Sequence, residues 1–541
     1  MLTALQRWFA DNILELGREM RLSYLPPLMV YVAAGVSGLT AIVGTFFVKE
    51  YLGFSAAFLA ALGFWAGIPW ALKMPLGHLV DLIWRHKAGL VWLGATLIAA
   101  SLLIMLGLVA SPLRMGELMS LEAWFVLAAL LSPVGYVLQD VVADAMTVEA
   151  VPRVDEHGQP LPPEQRRLMN TTLQTLGRVA IIGGGVAVSL VNVFMFQGVE
   201  NLPKAAKAAV YAEVYGMALV IPAISVAGVL LATLLRRRDA RRLRARGFDE
   251  AALRTMLQPT LDPVRPNWWI LGGSLVFVAI SLSVGLAQVQ FSQEIVFVSS
   301  FAVITFLMAK LLRELDEDAR RTLLGTAIVI FVFRAMPGPG AGSTWWMIDS
   351  LGFDQSFLAQ LSLIGSVLTL FGLFLFRRFM GERSIAYIVG FLTLIGTLLS
   401  LPTLGMYYGL HEWTAAHTGG VVDARFIALI DTALESPLGQ IAMVPMLAWI
   451  ANSAPANLKA TYFAVMASFT NLALSAAQLG TKYLNQIFEV TREVRDPVTN
   501  AIKVPADYGD LGALFMVAIA LGLILPFVAI WATRMLKLRS G

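Results

Sequence analysis

The sequence predicts an all-α polytopic membrane protein with fourteen transmembrane helices: two six-helix bundles and an inserted two-helix hairpin. Of the 541 residues, 57% are apolar and only 14% are charged. Apolar runs of about 20 residues, enough to cross about 30 Å of hydrocarbon, recur along the whole chain. The alternation typical of a β-barrel is absent. Because the chain has no cysteine, disulfides and thiolate metal sites are excluded.

The predicted spans divide the chain into four regions. Residues 1–24 lack a long apolar core, so we expect no secretory signal but a cytoplasmic interfacial segment. The N-terminal six-helix bundle occupies 25–235, the basic loop with the inserted hairpin 236–321, and the C-terminal bundle with a short cytoplasmic tail 322–541. The predicted spans are 25–48, 54–79, 88–111, 121–148, 169–197, 208–235, 268–290, 293–313, 322–346, 356–376, 384–408, 425–450, 459–487 and 510–535.

The distribution of basic residues tests this topology. If both termini are cytoplasmic, the inside segments hold most of the 40 Lys and Arg, as the positive-inside rule requires. An odd number of miscounted helices would have inverted the second half of the chain. We therefore expect a multi-pass protein of the cytoplasmic membrane with both termini cytoplasmic. The basic run 236–247 is expected to face anionic lipid rather than nucleic acid.

Ionisable residues inside the spans predict a path for a solute or an ion, because an isolated charge in hydrocarbon costs several kcal/mol. Depth along each helix, at about 1.5 Å per residue, separates these residues into two sets. A central set near the bilayer midplane contains Arg178, Arg334, Asp431 and Glu435. The second set lies in the cytoplasmic third of the membrane.

The central set predicts a binding site for a small anionic solute. Guanidinium groups bind planar anionic groups through fixed, paired hydrogen bonds, so Arg178 and Arg334 are the predicted substrate ligands. Asp431 and Glu435 are the predicted proton carriers, because a carboxylate whose access to water alternates changes its affinity for a proton. The alternative for Arg178 is a permanent ion pair that only holds helices together.

The cytoplasmic set, Lys73, Asp81, Asp140 and Asp144, predicts an inner gate. Asp140 and Asp144 lie one helical turn apart and share a face, and Lys73 has a similar depth on a helix that can pack nearby. Breaking and remaking such pairs would bias an alternating-access gate. The alternatives are a static ion pair that orients the fourth helix and, for Asp81, a carboxylate that complements a helix N-terminus.

The remaining features of the sequence give weaker evidence of function. Lys482, near the outer end of its helix, is expected to extend its amine to the membrane surface. His411 and His417 lack metal-ligand spacing, and no Walker motif is present, so neither a metal, ATP nor another cofactor is expected. The run 336–342 (MPGPGAG) predicts a helix break or an exit turn. Trp70 is interpreted either as a ring that stacks on a flat solute or as packing.

Two six-helix halves of one orientation, joined by a basic loop, resemble the parallel repeat of the major facilitator superfamily. Residues 77–81 (GHLVD), followed by Arg85 and Lys87, are similar to a cytoplasmic motif of that superfamily. The loop 377–383 (RRFMGER) occupies the matching position in the second half.

A narrower resemblance is to the folate-biopterin transporter family and, around 139–144, to the related muropeptide permeases. The segment 67–77 (GIPWALKMPLG) resembles the Pro-Trp-x-x-Lys-Pro-x-x-Gly segment of the folate-biopterin family, and 139–145 (QDVVADA) with Glu149 resembles its acidic fourth helix. Residues 440–446 (QIAMVPM) and 460–466 (ATYFAVM) with Asn471 are similar to its tenth and eleventh helices. Met74 replaces a usual proline, the Gly-Tyr-Arg-Arg loop is lost, and the hairpin is inserted.

The resemblance implies a secondary carrier, not an enzyme, that moves a folate, pterin or similar anionic solute by alternating access, with protons and as a monomer. It also implies that Trp70, Gln440 and Asn471 contribute to substrate binding. Three alternatives remain: a muropeptide-type permease, a receptor that does not move its ligand, and a prenyltransferase. The last would hold magnesium and a diphosphate at Asp140 and Asp144; its family resembles a single bundle, whereas this chain doubles a six-helix unit.

Overall fold

The computed structural model describes residues 15–152, 159, 161–248, 266–287, 289–313, 316–376, 379, 383–439, 441, 459–495 and 502–539, and each structural statement below refers to these residues. The N-terminal half contains α1 (Glu15–Arg18), α2 (Leu25–Gly35), α3 (Ala41–Tyr51), α4 (Ala56–Ala71), α5 (Lys73–Leu82), α6 (Ala88–Ala110), α7 (Pro112–Leu118), α8 (Leu121–Ala150), α9 (Pro163–Met195), α10 (Lys204–Ala218) and α11 (Val220–Ala245).

The inserted hairpin consists of α12 (Trp268–Leu286) and α13 (Ser292–Leu312). The C-terminal half contains α14 (Glu317–Arg334), α15 (Ala341–Ser350), α16 (Gln355–Leu375), α17 (Ile385–Tyr407), α18 (Leu410–His417), α19 (Ala424–Glu435), α20 (Lys459–Ile487), the short strands β1 (Val494–Arg495) and β2 (Ile502–Val504), and α21 (Leu511–Met535).

Polar side chains at the helix starts explain several of these boundaries. Each accepts a hydrogen bond from a backbone N–H of the first turn, which has no partner inside the helix. The residues that cap a helix in this way are Ser55, Ser120, Asn267, Asp316, Asp354, Ser384 and Asp423. Beyond each cap the apolar run continues as a helix, because in lipid only the helix itself can satisfy the backbone.

Eleven stretches of the described chain are long and apolar enough to cross a membrane. They correspond to predicted spans one to eight, ten, eleven and fourteen. The predicted span 322–346 is divided between α14 and α15, and 425–450 begins as α19 and continues outside the described residues. The predicted span 459–487 coincides with α20, which is more polar than the eleven. The all-α membrane fold is confirmed, whereas the count of fourteen helices stays a prediction.

Two predicted spans are broken near positions that carry proline or glycine. Pro69 lies inside the last turn of α4, and the chain turns at Leu72 before it resumes as α5. In the other span, α14 stops at Arg334 and α15 starts after Gly340, whose φ of 76° is strained for residues with a side chain. The break predicted in 336–342 is therefore present.

Two seams join the halves. In the first, α4 and α20 run antiparallel: Asn471 Nδ2 donates to the Trp70 carbonyl at 3.2 Å. A Cβ on Gly67 would lie 2.9 Å from Ser475 Oγ, so the absence of a side chain permits this approach. In the second seam, Ser189 of α9 and Ser362 of α16 share a hydrogen bond of 2.9 Å.

We call the end of the bundle that carries the α3–α4 turn and the loop after α20 the distal face, and the opposite end, near both chain ends, the proximal face. The distal loop after α20 contains the short strands β1 and β2, which pair antiparallel. Thr491 and Asp507 extend this pairing through two backbone hydrogen bonds of 2.9 Å.

The inserted hairpin lies along the first seam. Phe277 and Val296 of the hairpin pack with Phe64 and Ile68 of α4. Five other apolar residues of the hairpin join a cluster with α14 and α20: Ile270, Ile304, Leu307, Met308 and Leu312. The backbone N–H of Asn267, at the proximal start, donates to His78 Nε2 of α5 at 2.9 Å. At the distal turn it contacts both halves, as described next.

Lys482 of α20 forms an ion pair with Glu294 of α13, with 2.8 Å between Nζ and Oε1. It also donates to Gln293 Oε1 at 3.1 Å, and Gln293 Nε2 donates to the Ala61 carbonyl of α4 at 3.4 Å. These contacts tie Lys482 to the hairpin, and the expectation that its amine extends to the membrane surface stays a prediction. Its amine is held by a carboxylate on the hairpin, a partner far away in the sequence.

Candidate functional site

Three of the four residues of the predicted cytoplasmic set, Lys73, Asp140 and Asp144, meet in one network inside the N-terminal half. Lys73 Nζ lies 2.5 Å from Asp140 Oδ2 and 2.8 Å from Asp144 Oδ2. Tyr31 of α2 donates its hydroxyl hydrogen to Asp144 Oδ1 at 2.8 Å. Three spans therefore converge on two carboxylates, because Asp140 and Asp144 lie one turn apart on α8 and present the same face.

Local structure positions Lys73 for this contact. The turn at Leu72 ends α4 and makes Lys73 the first residue of α5. Its side chain is 19% exposed and that of Asp140 is 18% exposed, so both charges are largely removed from solvent. Each buried charge therefore depends on the other for its stability.

Arg178 lies close to this network rather than apart from it. It interacts electrostatically with Asp140 and with Tyr31. The ring of Tyr31 lies against Gly177, where a Cβ would come within 3.0 Å of it. Two cations, Lys73 and Arg178, thus balance the two carboxylates. The sequence had assigned Arg178 to the central set, and the structure places it beside the cytoplasmic set as well.

Arg334, the last residue of α14, has a different environment. Its side chain is partly buried, and its Nε is shielded from solvent without a hydrogen-bond partner. No carboxylate among the described residues forms an ion pair with it. Arg334 is therefore a partly buried cation that has one donor, Nε, without an acceptor and no ion pair with a described carboxylate.

The second acidic pair lies one turn apart on α19. Asp431 Oδ1 is shielded from solvent and makes no hydrogen bond with the described residues, whereas Glu435 is exposed. The two carboxylates are close enough to repel each other. Leu438, just after Glu435, belongs to the same apolar cluster as Val179 and Ile182 of α9. The proximal end of α19 therefore meets the helix that carries Arg178.

For the remaining predicted site residues, the structure gives few or no side-chain contacts. Trp70 is partly buried and packs against the apolar cluster of the N-terminal half. Asn471 donates one side-chain amide hydrogen to the backbone carbonyl of Trp70. Asp81 lies in α5, but its side chain is outside the description. Gln440 lies outside the described residues. Their substrate-binding and gating roles stay predictions.

Three contacts were not foreseen from the sequence. Tyr31 is read as core because it lies in an apolar run, and only the position of Asp144 reveals its hydroxyl partner. Lys87 forms an ion pair with Glu149 at 2.5 Å, which the shared proximal position of the two residues would have allowed. Arg492 is 2% exposed, although a cation in a loop predicts exposure.

In the described part of the chain, no three His, Asp or Glu side chains are placed together to hold a metal ion. Asp140 and Asp144, the residues that a prenyltransferase would use for magnesium, instead bind Lys73 and Tyr31. A basic partner and a phenol at these oxygens leave little capacity for a diphosphate complex.

Comparison with known proteins agrees with this architecture. The model of the BT1 family matches residues 34–535. The chain is 23% identical over 475 residues to a folate-biopterin transporter of Synechocystis sp., covering 87% of this chain and 76% of that protein. This match confirms the resemblance inferred from the motifs.

Solved structures share the fold at low sequence identity. A POT family transporter in complex with 5-aminolevulinic acid has a TM-score of 0.58 at 12% identity, covering 95% of this chain and 96% of that one. A peptide transporter POT in complex with sulfate gives 0.55 at 16% identity, covering 96% and 95%. The nucleoside transporter NupG gives 0.50 at 12% identity, covering 95% and 99%. The chain therefore has the fold of major facilitator-type transporters, belongs to the BT1 family, and is a multi-pass membrane transporter of that family.

Proposed function

We propose that this protein is a secondary active transporter that moves a small anionic organic solute across the cytoplasmic membrane by alternating access, together with protons. The name of the Synechocystis relative supports a folate or pterin as the solute. The bias of basic residues supports a cytoplasmic proximal face that carries both termini. The protein would act as a monomer surrounded by lipid.

The observation that carries the proposal is the environment of Arg334. Its guanidinium is partly buried, its Nε has no hydrogen-bond partner, and no described carboxylate neutralises it. Such a cation is unfavourable in a protein interior, so its presence in a span favours a function. An anionic solute would supply the missing acceptor during part of the cycle.

A buried carboxylate oxygen that lacks a hydrogen-bond donor lies in the same half as Arg334. Asp431 keeps an unpartnered buried oxygen and is repelled by Glu435. Uptake of one proton by the pair would remove this repulsion, and loss of the proton would restore it. Asp431 and Glu435 are therefore our proposed proton carriers, with Arg178 across the second seam as a further cation for the solute.

We propose that Lys73, Asp140 and Asp144 act as a gate indirectly, through the position of α5. All three belong to the N-terminal half, so their contacts do not tie the two halves together directly. Lys73 instead begins α5, the proximal part of the span that packs along α20. Its pairing would control how α5 lies against the C-terminal half, with Asp81 at the proximal end of the same helix.

Uptake of labelled folate into proteoliposomes tests the proposed solute class. Unlabelled pterins and folates are expected to compete, whereas muropeptides and unrelated small anions are expected not to. Competition by muropeptides alone would replace the folate proposal with a muropeptide-type permease. Binding of folate without any counterflow would indicate a receptor.

Proton coupling predicts the behaviour of the double variant Asp431→Asn, Glu435→Gln. Amides keep the shape of the carboxyl groups but exchange no proton, so an acid-outside pH gradient is expected no longer to accelerate uptake, while downhill uptake persists. Initial rates with and without the gradient measure this. The exposed loop variant Glu200→Gln serves as control and keeps full stimulation. Gradient-driven accumulation by the double variant would contradict this role.

A further inference from the structure

Arg492 is a buried cation on the distal loop of the C-terminal half. Only 2% of it is exposed. It directly follows Thr491, whose backbone is paired in both directions with Asp507. The backbone next to Arg492 is therefore paired with the backbone that leads into α21.

The hydrogen-bond acceptors of Arg492 all belong to the N-terminal half. Its Nε donates to the Lys49 carbonyl at 2.8 Å, and its two terminal nitrogens donate to the Phe54 carbonyl at 2.7 Å and the Val48 carbonyl at 2.8 Å. One terminal nitrogen also donates to the Leu52 carbonyl. A single side chain thereby binds the whole α3–α4 turn.

These acceptors explain how a buried cation is tolerated without a bound carboxylate. Val48 and Lys49 lie in the last turn of α3, where the helix dipole is negative. The Val48 carbonyl also accepts the backbone N–H of Leu52 at 3.3 Å, so its hydrogen bond with Arg492 is its second. The guanidinium also lies over the Trp345 ring, 4.3 Å from its centre, a favourable cation–π position. Burial lowers the pKa of Arg492 to about 10, so the group remains a cation at neutral pH.

A second contact across the halves lies beside the first. Lys49 Nζ is 2.5 Å from Asp349 Oδ1 of α15. Tyr508 donates its hydroxyl hydrogen to Asp349 Oδ2 at 2.6 Å, which fixes the carboxylate. We call the five residues that make these contacts the distal clasp: Lys49, Trp345, Asp349, Arg492 and Tyr508.

We propose that Arg492 is the gating residue of the distal face: it holds the two halves together there in this state and must leave the α3–α4 turn for the distal face to open. The proposal rests on the alternating access proposed above. Release is feasible because every acceptor is a neutral carbonyl, so water can replace each hydrogen bond on both sides. A lysine at this position would be a poor substitute, because a single ammonium group has three N–H donors at one point and cannot reach all four carbonyls, as the planar guanidinium does.

Cysteine labelling tests the proposal, since the chain contains no native cysteine. The reporter variant Ser189→Cys places a thiol in the second seam, where Ser189 is 1% exposed and bonded to Ser362. A membrane-impermeant maleimide added from the distal side reacts with this thiol only when the seam opens. Adding Arg492→Gln to the reporter is expected to raise the labelling rate by about tenfold, the effect of 1.4 kcal/mol on the opening equilibrium.

Arg425→Gln is the matched control. Arg425 also lies on the distal face and donates to the Gly352 carbonyl and to Asp354, but both partners belong to its own half. Its loss is expected to leave the labelling rate of the Ser189→Cys reporter unchanged. An equal rise in both variants would overturn the specific role of Arg492.

A second reporter separates opening from unfolding. Ser101 is 5% exposed and donates to the Ala128 carbonyl inside the N-terminal half, so Ser101→Cys is labelled only if that half unfolds. If Arg492→Gln exposes the Ser101→Cys thiol, the variant has unfolded, and Arg492→Lys is then tested in its place. Faster labelling of Ser189→Cys in Arg492→Lys supports the proposal, and an unchanged rate overturns it. Labelling at Ser189→Cys that does not exceed the parent rate in a folded variant overturns the proposal.

The result is separable from the proposed function. Faster labelling in a protein that takes up no anionic solute would leave the clasp in place and remove the solute proposal. Normal folate uptake by the parent together with unchanged labelling in Arg492→Gln would keep the solute proposal and remove the gating role of Arg492.

Discussion

Replacement of Lys73 by methionine is expected to remove most of the folded protein from the membrane. Lys73 is the cation that binds both Asp140 and Asp144, at 2.5 and 2.8 Å. Without it, the largely buried carboxylate of Asp140 and the half-exposed carboxylate of Asp144 repel each other one turn apart on α8. Removal of one partner from a buried ion pair costs about 3–5 kcal/mol, a large part of the stability of an ordinary domain. Yield and thermal unfolding in detergent measure the loss.

A charge-balanced variant shows whether electrostatics is the cause. In Lys73→Met, Asp140→Asn the charge removed on α5 is offset on α8, so much of the stability is expected to return. The double-mutant cycle gives the coupling energy of the pair. Lys204→Met, on an exposed helix start, controls for the loss of a lysine as such. A Lys73→Met protein as stable as the parent would show that the network contributes little.

Replacement of Arg334 by alanine is expected to abolish solute uptake while the protein folds normally. The truncated side chain leaves no carboxylate of the described chain unpaired, and it removes a desolvated cation whose Nε has no partner. Hydrogen bonds to a charged group contribute about 1.5–3 kcal/mol, so the loss corresponds to roughly ten- to hundredfold in affinity for an anionic solute. Initial uptake rates at matched protein content measure it.

The same helix supplies the control for this experiment. Arg321 of α14 is exposed and pairs with Glu317 of its own helix, so Arg321→Ala is expected to transport normally. Arg334→Lys should recover part of the activity, because the charge returns without the paired donors of a guanidinium. Uptake by Arg334→Ala at the parent rate would remove this residue from the site.

Much of the helical plan could be predicted from the sequence, because apolar length and charge asymmetry are local properties. The span 459–487 ends at the same residue as α20, and the break near Pro337 was visible as a proline-glycine run. Asp140 and Asp144 could be placed on one face from helical spacing alone. Their proximity to Lys73 also followed from depth.

Partners far apart in the sequence were beyond such reasoning. Periodicity gives the face of a helix but not which helix lies opposite, so Tyr31 was not recognised as the partner of Asp144. For the same reason Glu294 was not recognised as the partner of Lys482. Arg492 presented only a cation in a loop, and its acceptors are backbone carbonyls, which no sequence pattern marks.

The attachment points of the inserted hairpin limit the mechanics of the molecule. Its proximal start is bonded to α5 through Asn267 and His78, and its distal turn is bonded to α20 through Glu294 and Lys482. The distal turn is also bonded to α4 through Gln293 and the Ala61 carbonyl, so the hairpin is a brace that is attached to both halves. Any rocking of the halves must bend this brace or detach one of its ends, so its stiffness sets an upper limit on the angle through which they can swing.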